Sequence, residues 1–448
     1  MSSKPSDFRS KSGSRQSRPI RHSGGKTGRS EASPQPRSKA PAPGHFAIVV
    51  TCPEETKGVL VAELEEYGAK DIVEGYKAVE ANVDTETFYR LHLKLRTASR
   101  ILRVLREFAA ADRNMLFDQV RRIPWPEIFD VSRTFMIEGV PADRGEGIPS
   151  ANQISKAVRE ALQHTFELKT GVMPVVDLRE PKVVLVAWLR KGRCVLSIDT
   201  TGKTLHKRGY RLEGHPAPIK ETLASAVLRL AGYDGSQVLV EPMCGSGTIA
   251  IEAAYVALGK SPQIHRKKGE FGFEWLEDFD RDIWRKVQDD VRGERIAAPP
   301  HPIYASDMSP QYVEMSRKNA LRARVEKDIT FGIGRFQDLP VPELRPTEPG
   351  KSQAGLIVAN LPYGERLAKD DPKLKNLYVE IGDTLKQKYK GWRAALLAAD
   401  DSPWKFIGLK PTRKIPLRNG SIPAKLLIFD MYAGSKRMKS DEAARPAE

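Results

Sequence analysis

Along the chain, apolar positions fall into two regimes that change near residue 205. In the first, short alternating stretches are interleaved with amphipathic ones. His45–Thr51 is β-rich, and Pro53–Tyr67 places Val59, Leu60 and Leu64 on one helical face. Ala78–Val83 alternates as a strand, Thr85–Leu95 is helical, and Ala98–Phe108 alternates in part. One further short strand would complete β-α-β-β-α-β, a split βαβ of ferredoxin type. A short helix at Asn114–Arg122, a Pro-Trp-Pro break at Pro124–Pro126 and a strand at Thr134–Val140 follow. Ser150–Leu168 is the clearest helix of this half. Ser150 suits the N-cap; Ile154, Ala157, Val158, Ala161, Leu162 and Phe166 share a face, and Lys156 and Arg159 lie on the other. Val183–Leu189 and Cys194–Asp199 read as strands joined by a turn at Lys191-Gly192.

From Gln237 to Asp430 the apolar runs become continuous and alternate with helices. Val238–Val240 precedes Thr248–Ala257, Ile303–Ala305 precedes Pro310–Arg324, Leu356–Ala359 precedes Leu374–Tyr389, and Ala394–Ala398 follows. Strands buried on both faces with helical crossovers predict a parallel, doubly wound sheet. Ligands of such a sheet lie beyond the carboxyl ends of its strands. Thr412–Leu417 and Lys425–Tyr432 flank Asn419-Gly420 and predict a closing antiparallel hairpin, with a loop longer than two residues.

The net charge of +16 is concentrated. Residues 1–45 hold ten Lys or Arg against Asp7 and Glu31, half of the excess, with eleven serines and almost nothing apolar. Such a tail cannot bury enough surface to order itself. It reads either as a polyanion-binding arm or as a solvated solubility tail. Ser435–Glu448 reads as a second loose end. No run approaches the length of a membrane span, and the N-terminus lacks the apolar core of a secretory signal. Cys52, Cys194 and Cys244 lie far apart. They predict neither a disulfide framework nor a metal site, and a reducing, cytoplasmic setting is expected.

Two segments carry chemistry. In Val238–Ala254 a buried strand ends at Glu241, and the small-residue loop Cys244-Gly245-Ser246-Gly247 enters a helix. Glycines there allow close backbone approach to a ligand. The next strand ends at Ser306-Asp307, where a carboxylate can take both hydroxyls of a ribose. In Leu356–Leu367 a buried strand delivers Asn360-Leu361-Pro362-Tyr363 to the same edge. The Asn360 oxygen and a carbonyl of the Leu361–Pro362 turn can both accept hydrogen bonds from one planar amino group, and Tyr363 can stack on the attached base.

EPMCGSG and NLPYGERL resemble motifs I and IV of class I S-adenosylmethionine-dependent methyltransferases acting on exocyclic amines. With HKRGYR at His206–Arg211, APIKETLA at Ala217–Ala224 and FGFEWLEDFDRDIW at Phe271–Trp284, the chain resembles the RlmL-type 23S rRNA guanine-N2 methyltransferases over about His45–Tyr432. The resemblance implies an α/β architecture: a Rossmann-like class I methyltransferase domain preceded by an α+β ferredoxin-like/THUMP module. The expected segments are a disordered basic tail (1–44), a ferredoxin-like domain (45–110), a THUMP RNA-binding domain (111–204), a methyltransferase domain (205–434) and a disordered tail (435–448). The chain ends soon after its last strand, so the second methyltransferase of fused relatives is expected to be lacking.

The resemblance also implies residue roles. Cys244, Gly245 and Gly247 pass the methionine part of the cofactor, with Glu241 near its amino end. Thr222 reaches the methionine carboxylate, and Lys220 and Glu221 read equally as site neighbours or as exposed helix residues. Asp307 takes the ribose. The acidic residue expected after the fourth strand is replaced by Arg335-Phe336, so adenine binding is assigned to Phe336 and Asp338. Asn360, Pro362 and Tyr363 form the amino-group site, and no metal is required. His206, Arg208 and Arg211 either line an entrance for RNA phosphate or hold domains together. Phe271, Phe273, Trp275 and Trp284 read as a satellite hydrophobic cluster or as a pocket wall. The partner is RNA, with 23S rRNA first and tRNA as the alternative. Protein glutamine methylation and a non-enzymatic RNA-binding assembly factor are the rivals from other classes. If residues 45–200 supply RNA affinity, the isolated segment 205–435 should keep cofactor binding but lose most RNA turnover.

Overall fold

The computed structural model describes residues 41–141, 147–211, 219–344, 355–362 and 372–432. Both tails therefore lie outside the described residues, apart from the turn at 41–44. The first elements are β1 (Phe46–Thr51), α1 (Lys57–Glu66), β2 (Lys70–Glu74), β3 (Ala78–Val83), α2 (Thr85–Lys94) and β4 (Arg100–Ala109). β1 lies between β3 and β4, antiparallel to both, and β2 flanks β3. This is the split βαβ that the pattern predicts. β2 supplies the missing strand; it is exposed and polar along most of its length and its ladder is irregular, so it carries no apolar alternation. In α1, Val59, Leu60 and Leu64 are buried as expected, together with Glu63.

Next come α3 (Arg113–Val120), β5 (Phe135–Pro141), α4 (Ala151–Thr170), β6 (Val183–Arg190) and β7 (Arg193–Asp199). Ser150 occupies the N-cap of α4, but its side chain makes no capping bond. The buried residues of α4 are the predicted stripe plus Thr165. β7 pairs antiparallel with β4, so the sheet runs β2-β3-β1-β4-β7-β6-β5 without a break at residue 110.

The remaining elements are α5 (Glu221–Ala231), β8 (Val238–Glu241), α6 (Thr248–Ala257), α7 (Arg281–Gly293), β9 (Ile303–Asp307), α8 (Pro310–Arg322), β10 (Thr330–Ile333), β11 (Gly355–Asn360), α9 (Pro372–Lys388), β12 (Arg393–Ala399), β13 (Arg413–Asn419) and β14 (Ile422–Asp430). Their sheet runs β10-β9-β8-β11-β12-β14-β13. The first five strands of that order are parallel; β14 inserts antiparallel between β12 and β13. β10 was hidden from the pattern because its residues are only partly buried or exposed. The hairpin differs from expectation too: Asn419 pairs with Ile422, so the connection is a two-residue turn with Gly420 at φ 63°.

The segment between α6 and β9 belongs to the other half's core. Phe271, Phe273, Leu276, Trp284, Val287 and Val291 are buried in one cluster with β1, α2, β4, α4 and β6 side chains. The Phe273 ring lies 4.9 Å from Tyr89 and 4.8 Å from His92, and Trp284 lies 5.5 Å from Tyr89. Burial pushes His92 down to about 3, so its imidazole is a neutral core group. Arg90–Asp290 and Lys286–Glu86 ion pairs rim the α2–α7 contact. These aromatic residues form neither a satellite cluster nor a pocket wall. The segment stitches the two halves together, which removes the expectation that 205–435 is an independent unit.

Candidate cofactor and amino-group site

β8 and β11 are parallel neighbours whose outgoing connections leave in opposite directions, toward β9 and β12. That reversal opens a crevice at their carboxyl ends. Glu241, Asp307 and Asn360 terminate β8, β9 and β11 at this one edge.

The loop after β8 is held by backbone bonds. The Cys244 amide donates to the Ser306 carbonyl at 2.8 Å, and the Gly247 amide to the Cys244 carbonyl at 2.7 Å. Gly247 caps α6 in the left-handed region, φ 77°, and a Cβ there would sit 2.0 Å from the Ser316 hydroxyl. Gly245 is also left-handed, φ 51°, but a Cβ on it would meet nothing within 4 Å. The two glycines therefore serve different ends: Gly247 lets α8 approach, and Gly245 borders open space. Asn319 of α8 donates to the Ser246 carbonyl at 3.0 Å, bracing the loop from behind.

Asp307 joins the loop to β9. One carboxylate oxygen accepts the Gly245 amide at 3.1 Å, the other the Ser309 amide at 2.9 Å. Glu241 is buried and accepts the Ala250 amide at 2.8 Å. Burial, with the Asp307 charge adding, pushes its carboxyl up to about 8. Burial and the neighbouring Glu241 and Asp307 raise the Cys244 thiol well above its ordinary value, so it is a small buried loop residue and no nucleophile.

Asn360 is half-buried at the end of β11, and its side-chain oxygen is buried without a hydrogen-bond partner among the described residues. A buried acceptor left unpaired costs about 1–3 kcal/mol unless a ligand donates to it. The turn that follows is fixed: the Leu361 amide donates to the Leu397 carbonyl at 2.9 Å, and the Tyr378 hydroxyl to the Pro362 carbonyl at 3.2 Å. Tyr363, expected to stack on a base, lies outside the described residues.

Other assignments change. Phe336 and Asp338 follow β10, the third of these strands in the chain rather than the fourth. The Phe336 ring is buried and stacked on Tyr389 at 5.4 Å, which places it in the core, while Asp338 is exposed. Thr222 is buried in the first turn of α5. Glu221 is buried as well, paired with Arg211 at 3.1 Å; Lys220 alone is exposed. Met308, directly after Asp307, is 69% exposed, and Ile333, in register with Asp307, is 61% exposed. This apolar pair flanks the Asp307 strand end. The signal of Met308 in the sequence is its place directly after the acidic strand end.

Among the described residues no group of three His, Cys, Asp or Glu could hold a metal ion. No described helix is long and apolar enough to cross a membrane.

Residues 208–428 match the RMKL-like methyltransferase domain, residues 110–199 a THUMP domain and residues 47–102 the RlmL ferredoxin-like domain. The chain belongs to the RlmL-like methyltransferases. A ribosomal RNA large subunit methyltransferase K/L of Pseudomonas entomophila is 32% identical over 416 residues, covering 90% of this chain and 55% of the relative. The chain spans about half the length of the curated relatives it matches. Among solved structures, SMU.472, complexed with SAH, superposes with a TM-score of 0.77 at 28% identity, covering 88% of this chain and all of that one. A predicted N6-adenine-specific DNA methylase from Listeria monocytogenes superposes with a TM-score of 0.75 at 26% identity, covering 86% and 96%. The RlmL-like frame accounts for the order of the second sheet and for the ferredoxin-like and THUMP modules that precede it.

Proposed function

We propose that the chain transfers a methyl group from S-adenosylmethionine to the exocyclic N2 of a guanine in RNA, 23S rRNA first. The observation that carries this reading is the unpaired, buried oxygen of Asn360 at the same sheet edge as the glycine loop and Asp307. The residues present fit the cofactor. Gly245 leaves open space beside the loop and Asp307 suits the ribose hydroxyls, while the buried Glu241 holds the first turn of α6 through the Ala250 amide. Met308 and Ile333 offer apolar surface for the adenine. The SAH held by SMU.472 and the ribosomal RNA named for the Pseudomonas relative support the cofactor and the substrate.

When bound, the cofactor supplies a methyl group already activated on a sulfonium. The protein's task is the nucleophile. A guanine N2 lone pair is delocalised into the ring. Asn360 accepts one amino hydrogen, and the Leu361 carbonyl the other, since the Tyr378 hydroxyl engages that of Pro362. Two acceptors converging on one nitrogen favour pyramidalisation and aim the lone pair, an orientational and electrostatic effect, and the methylated nitrogen would give up its surplus proton to solvent. The base leaves its stack to enter.

Mass analysis of nucleosides from rRNA and tRNA of a deletion strain tests this reading. Loss of N2-methylguanosine from 23S rRNA alone supports it. Loss from tRNA alone moves the substrate to the tRNA alternative. No loss in either favours the protein-methylation or assembly-factor readings.

A further inference from the structure

Within HKRGYR the roles divide: Arg211 pairs with Glu221 and reaches the Thr248 hydroxyl at the start of α6 at 3.3 Å, whereas Arg208 lies in the junction between the two halves. Arg208 is 2% exposed. Its guanidinium donates to the Leu205 carbonyl at 2.7 Å and to the Arg96 carbonyl at 2.6 Å, and its Nε lies 3.6 Å from the Glu252 carboxylate. Glu252 is fully buried in the middle of α6, where it also accepts the Tyr210 hydroxyl at 3.1 Å and the Ser225 hydroxyl at 2.8 Å. Arg96 belongs to the turn between α2 and β4. Its own guanidinium donates to the Tyr255 and Lys260 carbonyls at 3.2 and 2.7 Å, at the far end of α6. Its backbone amide donates to Glu63 of α1 at 3.3 Å, and the Thr97 hydroxyl donates to the same carboxylate at 2.6 Å.

α6 begins at the glycine loop; its end is held directly by Arg96 of the ferredoxin-like half, and its middle is tied to the same turn through Arg208, which donates to the Arg96 carbonyl. A buried ion pair is weak evidence for stability, because desolvation offsets most of its attraction; its best-attested use is to set register. We infer that Arg208, paired with Glu252, is a positioning residue that fixes α6, and with it the methyl-transfer site, in register with the RNA-binding half. This rests on the proposed function. RNA gripped by the first half then presents its guanine at one offset from Asn360. Lysine cannot substitute, because a single ammonium does not reproduce a planar fork that donates to two carbonyls while keeping its charge 3.6 Å from the Glu252 carboxylate.

The test uses the full chain and two RNAs: intact 23S rRNA, and a short hairpin around the mapped guanine, too small to span both halves. Arg208→Met alone leaves the buried Glu252 with two hydroxyl donors but no counter-charge and invites unfolding. The double variant Arg208→Met/Glu252→Gln removes both charges. It is expected to melt near the wild type and to bind SAH within about twofold, while its single-turnover rate on 23S rRNA falls about tenfold or more, the scale of an ångström-level misplacement. Its rate on the hairpin should stay near wild type. Arg208→Lys should fail to restore the rRNA rate. Wild-type turnover of rRNA by the double variant overturns the inference. So does an equal loss on both RNAs with weakened SAH binding, which would make the pair a support of the cofactor loop. Wild-type protein inactive on both RNAs would sink the proposed function, and this inference with it.

Discussion

The Asp307 carboxylate accepts the Gly245 amide at 3.1 Å, tying the end of β9 to the loop that ends β8. Asp307 thus shapes the glycine loop as well as standing at the strand end proposed for the ribose. Asp307→Ala should weaken SAH binding about tenfold or more, since a hydrogen bond to a charged group is worth about 1.5–3 kcal/mol. Calorimetric titration reads this; unchanged affinity would remove Asp307 from the site.

Asn360→Ala should leave cofactor affinity nearly unchanged and lower single-turnover methylation about a hundredfold, the scale of losing one preorganised acceptor at about 3 kcal/mol. A folded variant methylating near the wild-type rate would place the amino-group site elsewhere.

The two glycines separate packing from ligand space. Gly247→Ala drives a Cβ into Ser316 and should lower both Tm and cofactor affinity. Gly245→Ala meets no neighbour, so its cost is confined to the left-handed backbone and its Tm loss should be the smaller. Paired melting curves check the ranking, and equal losses would contradict it.

Glu241 gives a pH signature. Its carboxyl titrates near 8 when folded and near 4.5 when free. Between those values the native chain holds a proton that the unfolded chain has lost, so this group's contribution is full below about 4.5 and declines as pH rises to about 8. Without cofactor, the wild-type Tm should fall relative to that of Glu241→Gln across that window. Parallel profiles would show that Glu241 ionises normally.

The segment 205–432 produced alone should expose Phe271, Phe273, Trp284, Val287 and Val291, which the first half buries. It should bind a hydrophobic dye and aggregate; a monomeric, SAH-binding fragment would refute this.

Legibility in the sequence followed burial. The strands that end at Glu241 and Asn360 are continuous apolar runs between glycine or proline punctuation, and their edge and their chemistry could be read together. β2 and β10 face solvent, so no alternation marked them. The Phe271–Val291 stretch showed that it was apolar but not what it would pack against, because its partners lie some 190 residues earlier in α2. Arg208 could be placed at an RNA entrance or a domain junction, and only its contacts with Arg96 and Glu252 choose the junction. Phe336 went to the core because Tyr389 and Trp392, distant in sequence, wait there for it.

The stitching segment also sets a timetable for synthesis. Domains generally fold as units from the N-terminus as the chain emerges. Here the first half's core lacks Phe271, Phe273, Trp284, Val287 and Val291 when its last strand, β7, has been made. A nascent chain paused after residue 205 carries an open apolar face along α2, and that face closes only once α7 has left the ribosome. During that interval the growing polypeptide exposes apolar surface of the kind that makes nascent chains prone to aggregate, and slow codons between β7 and α7 would lengthen the exposure.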